Sequence, residues 1–217
     1  MAPDLEQLEA GETYEQHAAR DWEWAMSEAD EFFQGRGLVQ KSLHDIAARL
    51  NELNIPYAVV GGLALGAHGF RRYTEDVDIL VTQESLTRIH AELDGLGYIP
   101  PFPGSRHLRD ASTKVKIEFL VTGGFPGDGK PKPVAFPDPS GHTINVRGIE
   151  YLQLPRFIEL KIASGLTASH RLKDLADIQE LAKVIGLTAE FAPLLNPYVR
   201  DKFLELVDTP SDMHGKD

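Results

Sequence analysis

Seven residues, Arg72-Tyr73-Thr74-Glu75-Asp76-Val77-Asp78, constrain what this chain can fold into more than any other stretch. Alternate residues of a strand share a face, so Asp76 and Asp78 project to one side while Val77 and Ile79 turn into a core. Two hard oxygen ligands on one rigid edge suit Mg²⁺, which takes one or two carboxylates together with substrate phosphates. Just upstream, Tyr57-Ala58-Val59-Val60 reads as a short apolar strand broken by Gly61-Gly62. Glycines at such a break let the backbone approach a phosphate and open N–H groups toward it. A solvated strand face is the plain alternative for the two acids, but aspartate is depleted in strands.

The chain is long enough, at 217 residues, to bury a full core as one domain with or without an appendage. It has no cysteine, which excludes disulfides and thiolate metal sites and is compatible with a reducing compartment. No basic segment followed by an apolar one opens the sequence, and no apolar run reaches the length of a membrane span. A soluble, cytoplasmic protein without a membrane partner is the expectation. The net charge is −11, yet the first 35 residues hold ten acids and a single arginine, so they carry −9 of it and the rest only −2. A near-neutral body does not exclude an anionic substrate. Arg71, Arg72, Arg106, Arg109, Lys114 and Lys116 cluster in sequence around the acidic strand, as a basic surface or as ordinary solvated positions.

Tyr14, Ala18, Trp22, Ala25, Ala29 and Phe33 recur at helical spacing and predict one amphipathic helix, ended by Gly35 and Gly37. It packs on the core or lies over an anion-binding side as a polyanion mimic. A second helix carries Leu43, Ile46, Ala47, Leu50 and Leu53; a third, short one spans Leu63 to His68; another carries Leu86, Ile89, Leu93 and Leu96. Tyr98-Ile99, Arg106 to Arg109, Val115 to Val121, Val134-Ala135-Phe136 and Thr143 to Val146 read as strands. Three helices close the chain, at Leu154–Ser164, Leu172–Val184 and about Tyr198–Leu206.

Taken together, the strand, the glycine pair, the short helix and the Asp-x-Asp strand resemble the nucleotidyltransferase superfamily. The narrower Arg72-x-Thr74-x-Asp76-x-Asp78 pattern resembles its AbiEii-toxin-like branch, as do Lys161 and the later run Arg171-Leu172-Lys173-Asp174-Leu175-Ala176-Asp177. The likeness spans roughly residues 55–185. It implies an α+β, polymerase-beta-like fold: a mixed sheet with flanking helices and a C-terminal helical subregion. The divisions would be an acidic helical extension (1–36), the core (37–150), the helical subregion (151–208) and a flexible tail (209–217).

The resemblance also implies roles. Asp76, Asp78 and Glu118 would be catalytic acids converging on Mg²⁺ or Mn²⁺, with Asp110 as the substitute for Glu118. Gly61, Gly62, Arg72, Thr74, Lys161 and Asp174 would bind an NTP. The reaction would move a nucleoside monophosphate from the NTP to an acceptor hydroxyl, an RNA end before a protein or small molecule, with a cognate antitoxin or toxin protein as partner. A non-catalytic nucleotide-binding module of the same fold is the alternative. The plain readings stay open: a snorkelling lysine at Lys161, and a solvated helix face with a Lys173–Asp177 pair around Asp174.

Overall fold

The strands fall where apolar residues line one side of the chain: β1 (Ala58–Val59), β2 (Asp76–Val81), β3 (Tyr98–Ile99), β4 (His107–Asp110), β5 (Lys116–Val121), β6 (Thr143–Val146) and β7 (Ile149–Leu152). The computed structural model describes residues 11–208, and these strands form one mixed sheet in the order β3-β4-β5-β2-β1-β7-β6. The acidic strand β2 is central. It runs antiparallel to β1 and parallel to β5, and the register sets Asp78 opposite Glu118. Val77, Ile79, Ile117 and Phe119 are buried on the other face, as alternation requires.

Eight helices accompany the sheet among the described residues: α1 (Tyr14–Arg20), α2 (Trp22–Phe33), α3 (Leu38–Glu52), α4 (Gly61–Ala67), α5 (Gln83–Leu93), α6 (Leu154–Thr167), α7 (Leu172–Ile185) and α8 (Pro197–Val207). Val39, Leu43, Ile46 and Leu50 of α3 and Leu86, Ile89 and Leu93 of α5 join the strand residues in one core. Each such side chain contributes about 1.5–3 kcal/mol by leaving water. Phe157, Ile158 and Ile162 of α6 join the same core, and α6 packs along α7. No helix among the described residues is long and apolar enough to cross a membrane.

Several expectations are corrected. The single N-terminal helix is two, because Asp21 adopts extended backbone and its side chain caps α2 by accepting from the Trp24 N–H. That break resets the helical phase. Trp22 and Phe33 are exposed (74% and 47%), while Tyr14, Trp24 and Phe32 belong to the core. The described part of this segment, residues 11–36, contributes side chains to the same core as the sheet. Val134-Ala135-Phe136 is not a strand: Phe136 exchanges two backbone bonds with Gly123 and Gly124, and the flanking Pro133 and Pro137 lack the N–H a longer ladder needs. Leu96 lies beyond α5 and is exposed. The boundary drawn at 150 falls inside β7, which pairs with both β1 and β6. The expected tail and the first ten residues lie outside the described residues.

The N-terminal helices are tied in by an acid. Gly37 gives α3 no side-chain cap, and Glu28 of α2 supplies one by accepting from the Leu38 N–H. A Cβ at residue 37 would lie 2.7 Å from the Glu28 Oε1 atom, so a side chain there would displace this cap. Glu28 Oε2 is buried and meets no donor at full hydrogen-bond geometry among the described residues. Burial pushes this carboxyl from 4.5 up to about 7, against the opposing hydrogen bonds of Leu38, Tyr14 and Val39. A folded-state value above the unfolded one means that the fold holds the proton more tightly. The stability from Glu28 is therefore full below about pH 4.5 and is lost as pH rises to about 7. Glu28→Gln should remove that decline, raising stability relative to the wild type by up to about 3 kcal/mol more at high pH than at low pH. Urea unfolding across this range tests it; parallel pH profiles for the two proteins would refute the assignment.

Candidate functional site

The turn from β1 into α4 builds one wall of a cleft. Gly61 has φ +64°, and a Cβ there would run into the Asp78 carboxylate; at Gly62 it would lie 2.8 Å from the Thr74 Cβ. The glycine pair is therefore needed for close approach to two side chains of the acidic segment. The Thr74 hydroxyl donates to Asp76 Oδ1 at 2.7 Å and fixes that carboxylate. Asp76, Asp78 and Glu118 all line the cleft, whose volume is about 370 Å³. Gly61, Gly62, Arg72, Thr74, Lys161 and Asp174 line it too. Asp110 does not: it is buried at the end of β4, where it accepts from Ser42, Ser112 and Thr113.

The acids are not fully gathered. Glu118 forms an ion pair with Lys116, two residues along the same strand. Among the described residues no group of three metal-ligating side chains is clustered closely enough to hold an ion as it stands. The electrostatics still favour a cation. Asp78 is pushed from 3.8 up to about 7, first by burial and then by the charges of Asp76 and Glu118, with Lys161 and Lys116 opposing. Two hard carboxylates side by side on one strand face fit Mg²⁺ or Mn²⁺.

The opposite wall is a buried ionic network. Lys161 Nζ donates to Asp174 Oδ1 and Asp177 Oδ2, both at 2.8 Å. Asp177 also receives both arms of Arg72, at 2.7 and 3.1 Å. Asp174 Oδ2 accepts from Ser164 at 2.7 Å and from Arg171 at 2.8 Å. Burial works to raise the Asp174 carboxyl, but Lys161, Ser164 and Arg171 outweigh it and hold it below its ordinary value. Burial works to lower the Arg72 guanidinium, and Asp177 outweighs that in turn. Three cations against two carboxylates leave a surplus positive charge beside the cleft. Asp174 has both oxygens taken, so it reaches a ligand only through its partners. The plain alternative paired Asp177 with Lys173 on a solvated face; Asp177 is instead buried and holds Lys161 and Arg72 together. Its position one turn from Asp174 on α7 was the available signal.

The clustered bases are mostly committed. Arg71 donates to the Phe33 carbonyl, Arg109 pairs with Glu15, Lys114 donates to Ala111 and Lys116 pairs with Glu118. Of those six bases Arg106 alone has a side chain without a partner among the described residues, and it lines the cleft.

No family model matches the chain, and no curated protein matches it. Solved structures do. The crystal structure of ANT(2″)-Ia in complex with adenylyl-2″-tobramycin superposes with a TM-score of 0.51 at 15% identity, over 76% of this chain and 96% of that one. An antigenic nucleotidyltransferase-like protein from Paracoccidioides brasiliensis gives 0.46 at 18% identity, over 78% and 87%, too loose a match to argue from. The likeness to ANT(2″)-Ia shows the fold: the mixed α+β sheet with flanking helices expected of a nucleotidyltransferase.

Removing one member of a buried ion pair strands its partner, at a cost of about 3–5 kcal/mol. Asp174→Ala should lose stability on that scale, and Asp174→Leu combined with Lys161→Met should recover most of it. Denaturant unfolding of the variants measures both. A near-neutral Asp174→Ala would mean that the network does not hold the C-terminal helices to the cleft.

Proposed function

We propose that the protein transfers a nucleoside monophosphate from an NTP to an acceptor hydroxyl and releases pyrophosphate. The observation that carries this reading is the raised Asp78 carboxyl, set beside Asp76 and opposite Glu118 in a cleft whose far wall is cationic. Asp76 and Asp78 would hold Mg²⁺ or Mn²⁺. Such an ion, when bound, neutralises charge on the phosphates and on the attacking and leaving oxygens.

The remaining work belongs to the chain. Arg72 and Lys161, both anchored by Asp177, lie where their surplus charge meets a triphosphate. Asp174 is a positioning residue acting through Lys161. Gly61 and Gly62 let the β1–α4 turn close against Asp78 and Thr74, and Thr74 holds Asp76 in its rotamer. The acceptor oxygen forms a bond to the α-phosphorus while the bond from that phosphorus to the bridging oxygen breaks and pyrophosphate leaves. Glu118, once turned from Lys116, takes the hydroxyl proton.

An RNA end is the acceptor we favour. The likeness of the Arg72–Asp78 run to the AbiEii-like branch supports it, together with a partner protein of toxin–antitoxin type. The adenylyl-2″-tobramycin in complex with ANT(2″)-Ia supplies the competing small-molecule reading.

Incubation with each α-labelled NTP, Mg²⁺ or Mn²⁺ and RNA, protein or tobramycin tests the reading. Label should move to one acceptor with stoichiometric pyrophosphate. Asp78→Ala should abolish transfer, and Lys161→Ala should weaken it by raising the NTP concentration needed. An Asp78→Ala protein that still transfers label at the wild-type rate would place the chemistry elsewhere. NTP binding without transfer to any acceptor would support the non-catalytic module instead.

A further inference from the structure

The cleft has a second lobe. A neighbouring cavity of about 370 Å³ shares Arg106, Glu118, Leu120, Phe125 and Phe136 with it, so Glu118 stands on the boundary between the two. The nucleotide-binding candidates Gly61, Gly62, Arg72 and Lys161 all line the first lobe and none lines the second.

Among the described residues the second lobe has two charged side chains. Its one acid is Glu118, already paired with Lys116. Its one cation is Arg106, whose guanidinium has no partner among the described residues. Phe125 and Phe136 are half-buried, each leaving part of its surface open. This wall is held in place. The Gly123 N–H donates to the Phe136 carbonyl at 2.9 Å, the Phe136 N–H donates to the Gly124 carbonyl at 2.8 Å, and Thr122 Oγ1 donates to the Pro137 carbonyl at 3.1 Å. A Cβ at Gly124 would come within 3.2 Å of the Phe136 ring, so glycine there lets the ring sit against the loop.

We propose that this second lobe is the acceptor subsite and that it takes the terminal nucleotide of a single-stranded RNA, with the base on the Phe125 and Phe136 rings and a phosphate on Arg106. The inference rests on the transfer reading above and gives its acceptor a place and a class. Aromatic rings stack any base, and a nearby cation follows the phosphate backbone. A free guanidinium offers two parallel donors to a phosphate. A cavity of this size lies in the range of small-molecule sites and matches one nucleoside rather than a duplex. A polycationic acceptor would need carboxylates, and it would meet an unpaired arginine and a glutamate already neutralised. A terminal hydroxyl carried into this lobe arrives beside Glu118.

Fluorescence anisotropy with a 5′-labelled single-stranded RNA oligonucleotide and the full chain tests the proposal, alongside a separate titration with Mg²⁺ and a non-hydrolysable NTP analogue. Arg106→Gln should weaken RNA binding by about tenfold and flatten its salt dependence. Phe136→Leu, which keeps an apolar side chain, should also weaken RNA binding by about tenfold. Tobramycin should not displace the oligonucleotide. The proposal is overturned if Arg106→Gln and Phe136→Leu bind RNA as the wild type does, or if tobramycin displaces it. A separate result, in which RNA binding responds to both variants but the wild type binds no NTP, would keep the lobe as an RNA site and remove the transfer reading.

Discussion

Six successive residue pairs lock β2 to β5 in parallel, from Asp76 with Lys116 to Val81 with Val121. A slip of one residue would turn every side chain of one strand to the opposite face. Val77, Ile79, Ile117 and Phe119 would then leave the core, and Asp78 and Glu118 would part. The apolar face thus enforces the polar one. The energy that places two acids opposite each other comes from the buried side chains behind them, each contributing about 1.5–3 kcal/mol. Nothing in the acids themselves favours that arrangement, and the raised Asp78 carboxyl records the opposing repulsion and desolvation.

The cleft answers that excess of negative charge from the other side. Arg72 belongs to the segment leading into β2, whereas Lys161, Asp174 and Asp177 belong to α6 and α7. Asp177 bonds to Arg72 and to Lys161 at once, so it ties the acidic strand's approach to the C-terminal helices. A buried ion pair contributes little to stability compared with packed apolar groups, but it fixes geometry because a misplaced partner is costly. Here it sets two cations at a defined place across from two carboxylates. One wall suits a cation and the other suits an anion, which is the division of charge that a metal-bound polyphosphate requires.

Much of this was legible in the sequence because it depends on local rules. Strand parity put Asp76 and Asp78 on one face, and the apolar alternation of β5 put Glu118 on the side facing them. Tertiary partners were not legible. Asp177 looked solvated because helical spacing offered it Lys173, and only the fold brings Arg72 to it across 105 positions of sequence. Lys116 could not be seen as the partner of Glu118, since alternation says which face a side chain takes and not which neighbour it chooses. The missed strand β7 is short and follows a single turn after β6, and β1 gives it a partner far away in sequence. The broken N-terminal helix had a visible signal: Asp21 is a residue that caps helices, and one placed in the middle of a helical pattern marks a restart.

That N-terminal segment also changes meaning once it is placed. In sequence it is an acidic appendage carrying most of the net charge. In the fold, Tyr14 joins its hydroxyl to that of Tyr73 at 2.6 Å, between Arg72 and Thr74 of the cleft. Burial, then the nearby Glu28, raise the Tyr73 phenol to about 12, with the Tyr14 hydrogen bond opposing, so it is a neutral hydrogen-bonding group under ordinary conditions. Glu15 pairs with Arg109 on β4 at 2.9 Å, and Glu28 caps α3. Three contacts from two short helices thus reach the segment before β2, the strand beyond β5 and the helix before β1. The acids of this segment act through specific partners in the core, and its overall negative charge is a weaker guide to its role than those three positions.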